Sequence, residues 1–399
     1  MRHLPKKKKL FLSADNFLKY ENKIWFPEID CNELYCYDLN TDDIKMVCKI
    51  DTEVEYQHRL FSSLVVNNKK IYMIPFSAEM MYEVDILTKD VKSIEIKEPD
   101  SKQYSKYNKN AKFISGVKFN NCVYLIGTTY PAIVEYDCIA KTISYYDTWV
   151  EDLMRLAKNN RIAFFRKAII CGTKIYAPSC MGNCILEFDV KTKKHQFFIV
   201  GSEVCSYSSI CQVGEWMWLA PQGEGPVVKW NVYTNQWKEY WNFPPKYIPS
   251  QFSFSDIVYY EDYIYCIPLN SNMIIRIEVQ REIMEEYELE EFDSIGLTVC
   301  VLNNKMYLFS QTNNQFIVLK KDKRLKTKEL LMPQQQKKYH LEKISFVDQA
   351  FTQNNQKMIY ENFPAELIKY IQGILKDKSL DKKESLMITN GFEIYRKIH

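Results

Sequence analysis

Glycine is scarce in this sequence, with 11 residues in 399 against a usual share of about 7%. Proline is not abundant either, with 14 residues. These low numbers exclude a collagen-like repeat and a disordered chain rich in proline and glycine. With 46% hydrophobic and 26% charged residues, the composition is that of a globular protein that buries a core.

Long apolar runs are also missing. The basic stretch near the start of the chain is followed only by Leu10–Leu12, whereas a secretory signal needs about 7–15 apolar residues. No segment approaches the ~20 apolar residues of a membrane-spanning helix. The 12 cysteines are scattered through strand-like runs and lack the dense spacing of a disulfide framework. We therefore expect a cytoplasmic protein with free thiols and no membrane span.

Neither sign of charge is in excess. The chain has 53 Lys and Arg residues against 50 Asp and Glu residues, which leaves a net charge of +3. A balance this close to zero produces no bulk field that would attract a polyanion or an acidic membrane. We expect no nucleic-acid partner. The composition does not indicate which oligomeric state the protein adopts.

Recognisable catalytic patterns are missing as well. The sequence has no Gly-rich phosphate loop, nucleophile elbow or His-Glu-x-x-His pattern. Its five histidines are not spaced as metal ligands, and Cys180 and Cys184 have no matching pair elsewhere. The sequence therefore predicts no catalytic residue, no metal and no cofactor.

What the sequence does contain is a repeat. An aromatic residue recurs after a polar turn and an aliphatic residue, with a mean interval of 47 residues. These seven anchors are Trp25, Tyr72, Tyr124, Tyr176, Trp218, Tyr265 and Tyr307. A fixed period of 40–50 residues is typical of propellers and other repeat folds.

Two further marks keep a constant distance from the anchor. Eleven residues before it stand the aromatics Phe61, Phe113, Phe165, Tyr207 and Phe254. Thirteen residues after it stand the polar residues Asp38, Asp85, Asp137, Asp189, Asn231 and Glu278. Since all length variation falls between copies, each copy is one structural unit, and the aromatics at fixed positions are expected to pack between units.

Each copy is predicted to form four short strands. In copy two these are 60–66, 70–74, 80–85 and 91–96, separated by Asn67–Asn68, by Pro75 and by the turn that starts at Asp85. Four antiparallel strands per copy are typical of a propeller blade. We predict an all-β fold, a seven-bladed β-propeller over residues 10–331, followed by a mainly helical tail over 332–399 with one or two helices packing on the ring.

The repeat resembles kelch-like and galactose-oxidase-type propellers, as in the segments Asn68–Pro75 (NKKIYMIP) and Gly172–Pro178 (GTKIYAP). The Gly-Gly doublet of that family is absent, which matches the shortage of glycine, and only Trp237 matches its late Trp. The resemblance implies the propeller fold. It does not extend to the copper chemistry of galactose oxidase, because the required Tyr and His ligands are not present as a set.

Candidate binding residues fall into three groups. The starts of the first strands, together with the residue just upstream in blade two, carry Arg59, Arg166, Lys167 and Asp256, which ring closure would bring together near the central channel. Copy five holds five of the seven tryptophans. Trp218 and Trp230 sit at repeat positions and are predicted to be core, whereas Trp216 and Trp237, with Glu224, are candidates for contact with a ligand. The two long connections between copies contribute Tyr104 and Trp149.

Two functions remain open at this stage. The first is a non-catalytic recognition or scaffold protein that binds a protein or peptide partner on the loop face. The alternative is an enzyme or a small-ligand binder, with glycans as a candidate ligand class and its site in the central funnel. Propellers host both kinds of function, so the fold alone does not decide between them.

Overall fold

The computed structural model describes residues 12–53, 57–99, 106–288, 296–302, 304–310, 315–320, 323–333 and 335–336. The predicted tail helices lie outside these residues, as does Tyr104. Within them, 28 strands form seven four-stranded antiparallel sheets. The predicted fold class is confirmed.

Each sheet is one blade made of consecutive strands. Blades 1 to 4 comprise β1 (Leu18–Tyr20), β2 (Lys23–Pro27), β3 (Glu33–Asp38) and β4 (Asp43–Lys49); β5 (Phe61–Asn67), β6 (Lys70–Pro75), β7 (Met81–Asp85) and β8 (Val91–Ile94); β9 (Phe113–Phe119), β10 (Cys122–Gly127), β11 (Ile133–Asp137) and β12 (Thr142–Tyr146); β13 (Ile169–Cys171), β14 (Lys174–Pro178), β15 (Cys184–Asp189) and β16 (His195–Ile199). Blades 5 to 7 comprise β17 (Tyr207–Val213), β18 (Trp216–Pro221), β19 (Val227–Asn231) and β20 (Trp237–Tyr240); β21 (Phe254–Tyr260), β22 (Tyr263–Pro268), β23 (Ile274–Glu278) and β24 (Met284–Tyr287); β25 (Leu297–Leu302), β26 (Lys305–Ser310), β27 (Gln315–Lys320) and β28 (Lys323–Glu329). One helix, α1 (Trp149–Leu156), lies in the connection between blades 3 and 4.

The polar mark of the repeat caps the turn between the third and fourth strands. In blade 3, Oδ1 of Asp137 accepts hydrogen bonds from the N–H groups of Ile139 at 2.8 Å and Ala140 at 2.9 Å. The Oδ1 atom of Asn231 plays the same part in blade 5, at 2.9 and 3.1 Å. These bonds satisfy turn N–H groups that no ladder reaches, which explains why five of the seven copies have Asp or Asn at this position.

Apolar packing between blades holds the ring together. Seven buried clusters occur, and each joins side chains of two neighbouring blades. The anchors Trp25, Tyr72 and Tyr124 each lie in one of these clusters. A four-stranded sheet has two apolar faces and cannot cover both by itself, so stacking in a ring is what completes the core.

Blades 7 and 1 meet without sharing a strand among the described residues. The N–H of Leu12 donates to the carbonyl of Leu330 at 2.8 Å, and Phe26 and Phe309 lie in the common apolar cluster. Lys328 binds Oδ1 of Asp42 at 3.1 Å across the seam. The seam therefore combines apolar packing with an ion pair, as the interface between blades 1 and 2 does.

The ring has two faces that differ in their loops. The first strands of most neighbouring blades contact one another, so they lie innermost, around the axis. Because the strands alternate in direction, the links between blades and the links between second and third strands share one face, which we call the connection face. The tight turns lie on the other, the turn face. No helix in the described part of the chain is long and apolar enough to cross a membrane.

Candidate functional site

Charged side chains from several blades meet at the inner rim of the connection face. Nζ of Lys167, just before the first strand of blade 4, lies 3.1 Å from Oδ2 of Asp256 in blade 6. The other carboxylate oxygen accepts a hydrogen bond from Oγ of Ser209 in blade 5, at 2.7 Å. The ion pair thus connects blades 4 and 6 across blade 5. The side chain of Ser209 is small enough to leave room for this contact.

A second ion pair joins blades 1 and 2 at the same rim. Nε of Arg59 binds Oδ2 of Asp15, and the Arg59 guanidinium carbon lies 4.3 Å above the ring centre of Phe76. Arg59 adopts a left-handed backbone, with φ of 56°. A residue other than glycine rarely adopts that conformation unless its surroundings enforce it, and here the ion pair and the ring contact are what hold it.

Arg166 completes this group, which we call the channel cluster: Asp15, Arg59, Arg166, Lys167 and Asp256. Burial lowers the pKa of Arg166 to about 10, and Arg59 lowers it further while Asp15 and Asp256 raise it. The guanidinium therefore feels charges from blades 1, 2 and 6 and stays protonated at neutral pH. Of the residues predicted to converge, Lys167 and Asp256 are in direct contact, and Arg166 lies within electrostatic range of Arg59 and Asp256. Their part in binding stays a prediction.

Arg166 differs from its neighbours because it lacks a partner. Its Nη1 atom is buried and has no hydrogen-bond acceptor among the residues that the structure describes. Its guanidinium carbon lies 5.6 Å from the ring centre of Phe252. Nε2 of the fully buried Gln222 also lacks an acceptor within the described part of the chain. Since buried polar groups are normally hydrogen-bonded, these two donors mark the site as unusual.

A third arginine connects the channel cluster to the surrounding loops. The guanidinium carbon of Arg161 also lies near Phe252, at 5.7 Å from its ring centre. Nη1 of Arg161 donates to the carbonyl of Gln251 at 3.2 Å. A Cβ atom on Gly223 would lie 3.1 Å from Nη2 of Arg161, so a glycine at this position gives the guanidinium room. Burial lowers the pKa of Lys106, whose Nζ donates to the carbonyl of Arg161 at 2.9 Å.

The connections that lead into blades 4, 5 and 6 form one surface. Lys158 donates its N–H to the carbonyl of Met181 at 2.7 Å, and its Nζ lies 3.5 Å from Oε1 of Glu203. Together with the contact between Arg161 and Gln251, these bonds tie the three connections to each other. The surface that they form carries exposed apolar side chains, at 57% for Ile162, 64% for Val204, 64% for Ile248 and 50% for Trp241.

Several predicted residues lie elsewhere. Trp216 and Trp237 begin second and fourth strands, so they stand at the turn face, away from the channel cluster. Trp216 lies under Nζ of Lys229, which is 4.6 Å from its ring centre, and Trp237 is 44% exposed. Glu224 is exposed on the connection face. Trp218 and Trp230 are fully buried, as predicted.

Trp149, predicted to bind a partner, lies in the core of the structure. The helix expected around it is present as α1, but the Trp149 side chain is fully buried. Its indole packs against Phe164 and Phe165 at 5.4 and 5.1 Å between ring centres, and its Nε1 donates to the carbonyl of Tyr146 at 2.9 Å. The helical spacing of the apolar residues indicated that they share one side of α1. It did not show that this side packs into the core between blades 3 and 4.

Three residues at or beside the channel cluster were not predicted from the sequence: Asp15, Gln222 and Phe252. Asp15 occupies the same repeat position as Arg166, ten residues before the anchor, so the register alone could have flagged it. Nine residues before the anchor, every copy has a polar residue: Asn16, Ser63, Ser115, Lys167, Ser209, Asp256 and Thr298. That ring of polar positions is the signal that would have located the inner rim. Nothing in the sequence singled out Gln222 or Phe252.

No three His, Cys, Asp or Glu side chains in the described residues come together as a metal site. The thiols of Cys180 and Cys184 are protonated at neutral pH, since burial raises the pKa of Cys180 to about 12 and that of Cys184 to about 11. The chemistry that the channel cluster offers is therefore the binding of oxygen acceptors by cationic donors.

Comparison with known proteins shows the fold and not a family. No family model matches the chain, and no curated protein sequence matches it. Among solved structures, virginiamycin B lyase from Staphylococcus aureus is 12% identical with a TM-score of 0.57, over 75% of this chain and 94% of that one. A streptogramin B lyase is 15% identical, also with a TM-score of 0.57, over 75% and 92%. The computationally designed Ika8 protein is 8% identical with a TM-score of 0.54, over 81% and 88%. This chain is thus a seven-bladed β-propeller, and its kelch-type membership stays a prediction.

Proposed function

We propose that this propeller is a non-catalytic recognition protein that binds a protein or peptide partner on its connection face, over blades 4 to 6. The observation that carries the proposal is the exposed apolar group Ile162, Val204 and Ile248, supplied by three successive connections. Exposed apolar side chains gathered on a rigid surface are typical of protein interaction sites. The surface is rigid because hydrogen bonds and ion pairs tie the connections together.

The charge beside this surface indicates what the partner offers. Arg161 stands next to Ile162, and the channel cluster lies further inward. A partner segment that presents apolar side chains beside a carboxylate would fit both features. The turn face lacks a comparable arginine cluster among the described residues, although Leu87 and Tyr233 are 72% and 78% exposed there.

Affinity capture with paired variants tests this proposal. Wild-type protein, the double variant Ile162→Asp with Ile248→Asp, and the turn-face double variant Leu87→Asp with Tyr233→Asp are compared by quantitative mass spectrometry. We expect a partner that the turn-face variant retains and that the connection-face variant loses, because a buried carboxylate in an apolar interface is costly. A partner retained equally by both variants would contradict the proposal.

A second candidate function is the binding of a small ligand in the central channel. The unpartnered Nη1 atom of Arg166 favours it, since this donor is buried and does not belong to the apolar surface of the connections. The two candidate functions differ in which substitutions should abolish binding. Loss of partner binding would follow substitution at Ile162 and Ile248, whereas loss of ligand binding would follow substitution at Arg166.

A further inference from the structure

The channel cluster has an excess of positive charge that the protein itself does not neutralise. Arg59, Arg166 and Lys167, with Arg161 beside them, face only two carboxylates, those of Asp15 and Asp256. Lys106, whose Nζ donates to the carbonyl of Arg161, and the exposed Glu224 add one charge of each sign on the same face of the ring. Two positive charges therefore remain in excess at the inner rim.

The cations differ in how they are held. Arg59 and Lys167 are fixed by their own carboxylates, and Arg161 is fixed by the carbonyl of Gln251. Nη1 of Arg166 is a buried donor that no described residue satisfies, and no carboxylate is paired with it. Nε of Arg59 also lacks a hydrogen bond of good geometry, but it lies in the ion pair with Asp15. A buried guanidinium nitrogen without an acceptor costs free energy, so packing within the fold gives no reason to keep it.

We infer that Arg166 is the anchor of a binding site for a small phosphate monoester at the connection-face mouth of the central channel. Arginine suits this ligand because its planar guanidinium donates two parallel hydrogen bonds to phosphate oxygens. A phosphate monoester carries a charge close to −2 at neutral pH, which equals the excess at the rim. The inference rests on the second candidate function and names its ligand class.

The geometry also supplies neighbours for such a ligand. Nε2 of Gln222 is a second buried donor without an acceptor, and its amide oxygen lies 3.7 Å from Sγ of Cys180. Burial comes first among the causes that raise the pKa of Cys180 to about 12, while Arg166 and then Arg161 oppose it. The thiol, the amide and both guanidinium groups thus share one region of low polarity, where charged hydrogen bonds are strong.

Calorimetric titration with inorganic phosphate, phenyl phosphate and benzoate tests the inference on the full chain. We expect saturable binding of phenyl phosphate, with benzoate weaker by roughly tenfold because it carries a single charge. Absence of saturable binding of both phosphates up to about 10 mM would overturn the inference. Benzoate binding as tight as phenyl phosphate would overturn the assignment to a phosphate monoester.

Substitution of Arg166 separates a binding role from a structural one. In Arg166→Met we expect affinity for phenyl phosphate to fall by about tenfold or more, while the melting temperature without ligand is unchanged or higher. Arg166→Lys keeps the charge without the planar fork, so an intermediate affinity is expected. The exposed Arg281→Met serves as the matched control and should bind as wild type does.

Two results with these variants would count against the site. Unchanged binding in Arg166→Met would show that phosphate binds elsewhere. A melting temperature of Arg166→Met well below that of Arg281→Met, or failure of Arg166→Met to fold, would make the guanidinium a structural group. Neither result bears on the partner surface, because Ile162 and Ile248 are intact in both variants.

Discussion

Lys193 of blade 4 donates from Nζ to Oε2 of Glu135 in blade 3 at 2.6 Å. Lys141 of blade 3 reaches back to Glu83 of blade 2 in the same way, at 2.8 Å. Between blades 5 and 6 the two positions exchange charge, and Nζ of Lys229 lies 2.6 Å from Oε1 of Glu282. Ion pairs at these positions thus link blade 2 to 3, blade 3 to 4 and blade 5 to 6, and the last has its charges reversed.

Reversing the pair between blades 3 and 4 tests this link. Glu135→Lys places two lysines together and removes the acceptor of the Tyr124 hydroxyl, and Lys193→Glu places two carboxylates together. Each variant should therefore lower the free energy of unfolding by about 1–3 kcal/mol. Combining both changes should recover part of the loss. Urea denaturation in a double-mutant cycle measures the coupling, with the exposed Lys194→Glu as control. A strictly additive double variant would mean that the ion pair contributes nothing.

Glu28 should make the seam region sensitive to pH. Burial, and then Asp30, raises the pKa of Glu28 to about 8, although the N–H groups of Asp30 and Ser13 bind its oxygens at 2.6 and 3.1 Å. The folded state then holds a proton that the unfolded state has lost. Stability should be greatest below the unfolded pKa of 4.5 and fall as pH rises towards 8.

The variant Glu28→Gln checks this expectation. It loses an acceptor for one N–H group, so it should be less stable than wild type at pH 5. The slope of its urea midpoint between pH 5 and 8 should nevertheless be flatter, while the exposed Glu215→Gln should keep the wild-type slope. A wild-type slope in Glu28→Gln would show that other groups control the pH dependence.

Trp149 should be a stability residue rather than a binding residue. Truncation in Trp149→Ala removes a fully buried indole from between Phe164 and Phe165, and a loss of about 3–5 kcal/mol is expected. Met154→Ala, on the 43% exposed position of the same helix, should cost little. Thermal denaturation compares the two variants. An equal effect of both would contradict the packing observed around Trp149.

Asp137 can be tested with a residue that another blade has at the equivalent turn position, the asparagine Asn231. Asp137→Asn should be close to wild type in stability at pH 7, because Asn231 caps the equivalent turn with its amide oxygen. Asp137→Ala should lower the urea midpoint, since two turn N–H groups lose their acceptor. The N–H groups of Ala140 and Ile139 lower the pKa of Asp137, so its stabilising effect is lost as pH falls through that pKa. Any advantage of wild type over Asp137→Asn that is measured at neutral pH should therefore shrink as the pH is lowered below 3.8.

The repeat register predicted the fold because it reports local requirements. An aromatic at Tyr124 and an acceptor at Asp137 are needed in the same place in each blade, so their spacing survives in the sequence. The contact between Lys167 and Asp256 has no such signature. It depends on blade 5 presenting Ser209 at the position where blades 4 and 6 carry long or charged side chains, and only the closed ring places the three together.

The direction of a side chain was harder to predict than its environment. The pattern placed Trp149 on the apolar side of a helix, and the choice between core and partner depended on how Phe164 and Phe165 fold back under it. Trp216 and Trp237 shared a blade with Glu224, and strand direction put them at the opposite face. Such outcomes follow from three-dimensional packing, which residue spacing alone does not encode.

The seam between Leu12 and Leu330 has a mechanical consequence. Since blades 7 and 1 share no strand within the described residues, a pulling force applied across these two residues acts on one hydrogen bond, the Lys328 contact and a single apolar interface. The ring would give way there first, with every blade keeping its own strand ladder. Under such a force the seam would separate while the hydrogen-bonded sheet of each of the seven blades stays intact.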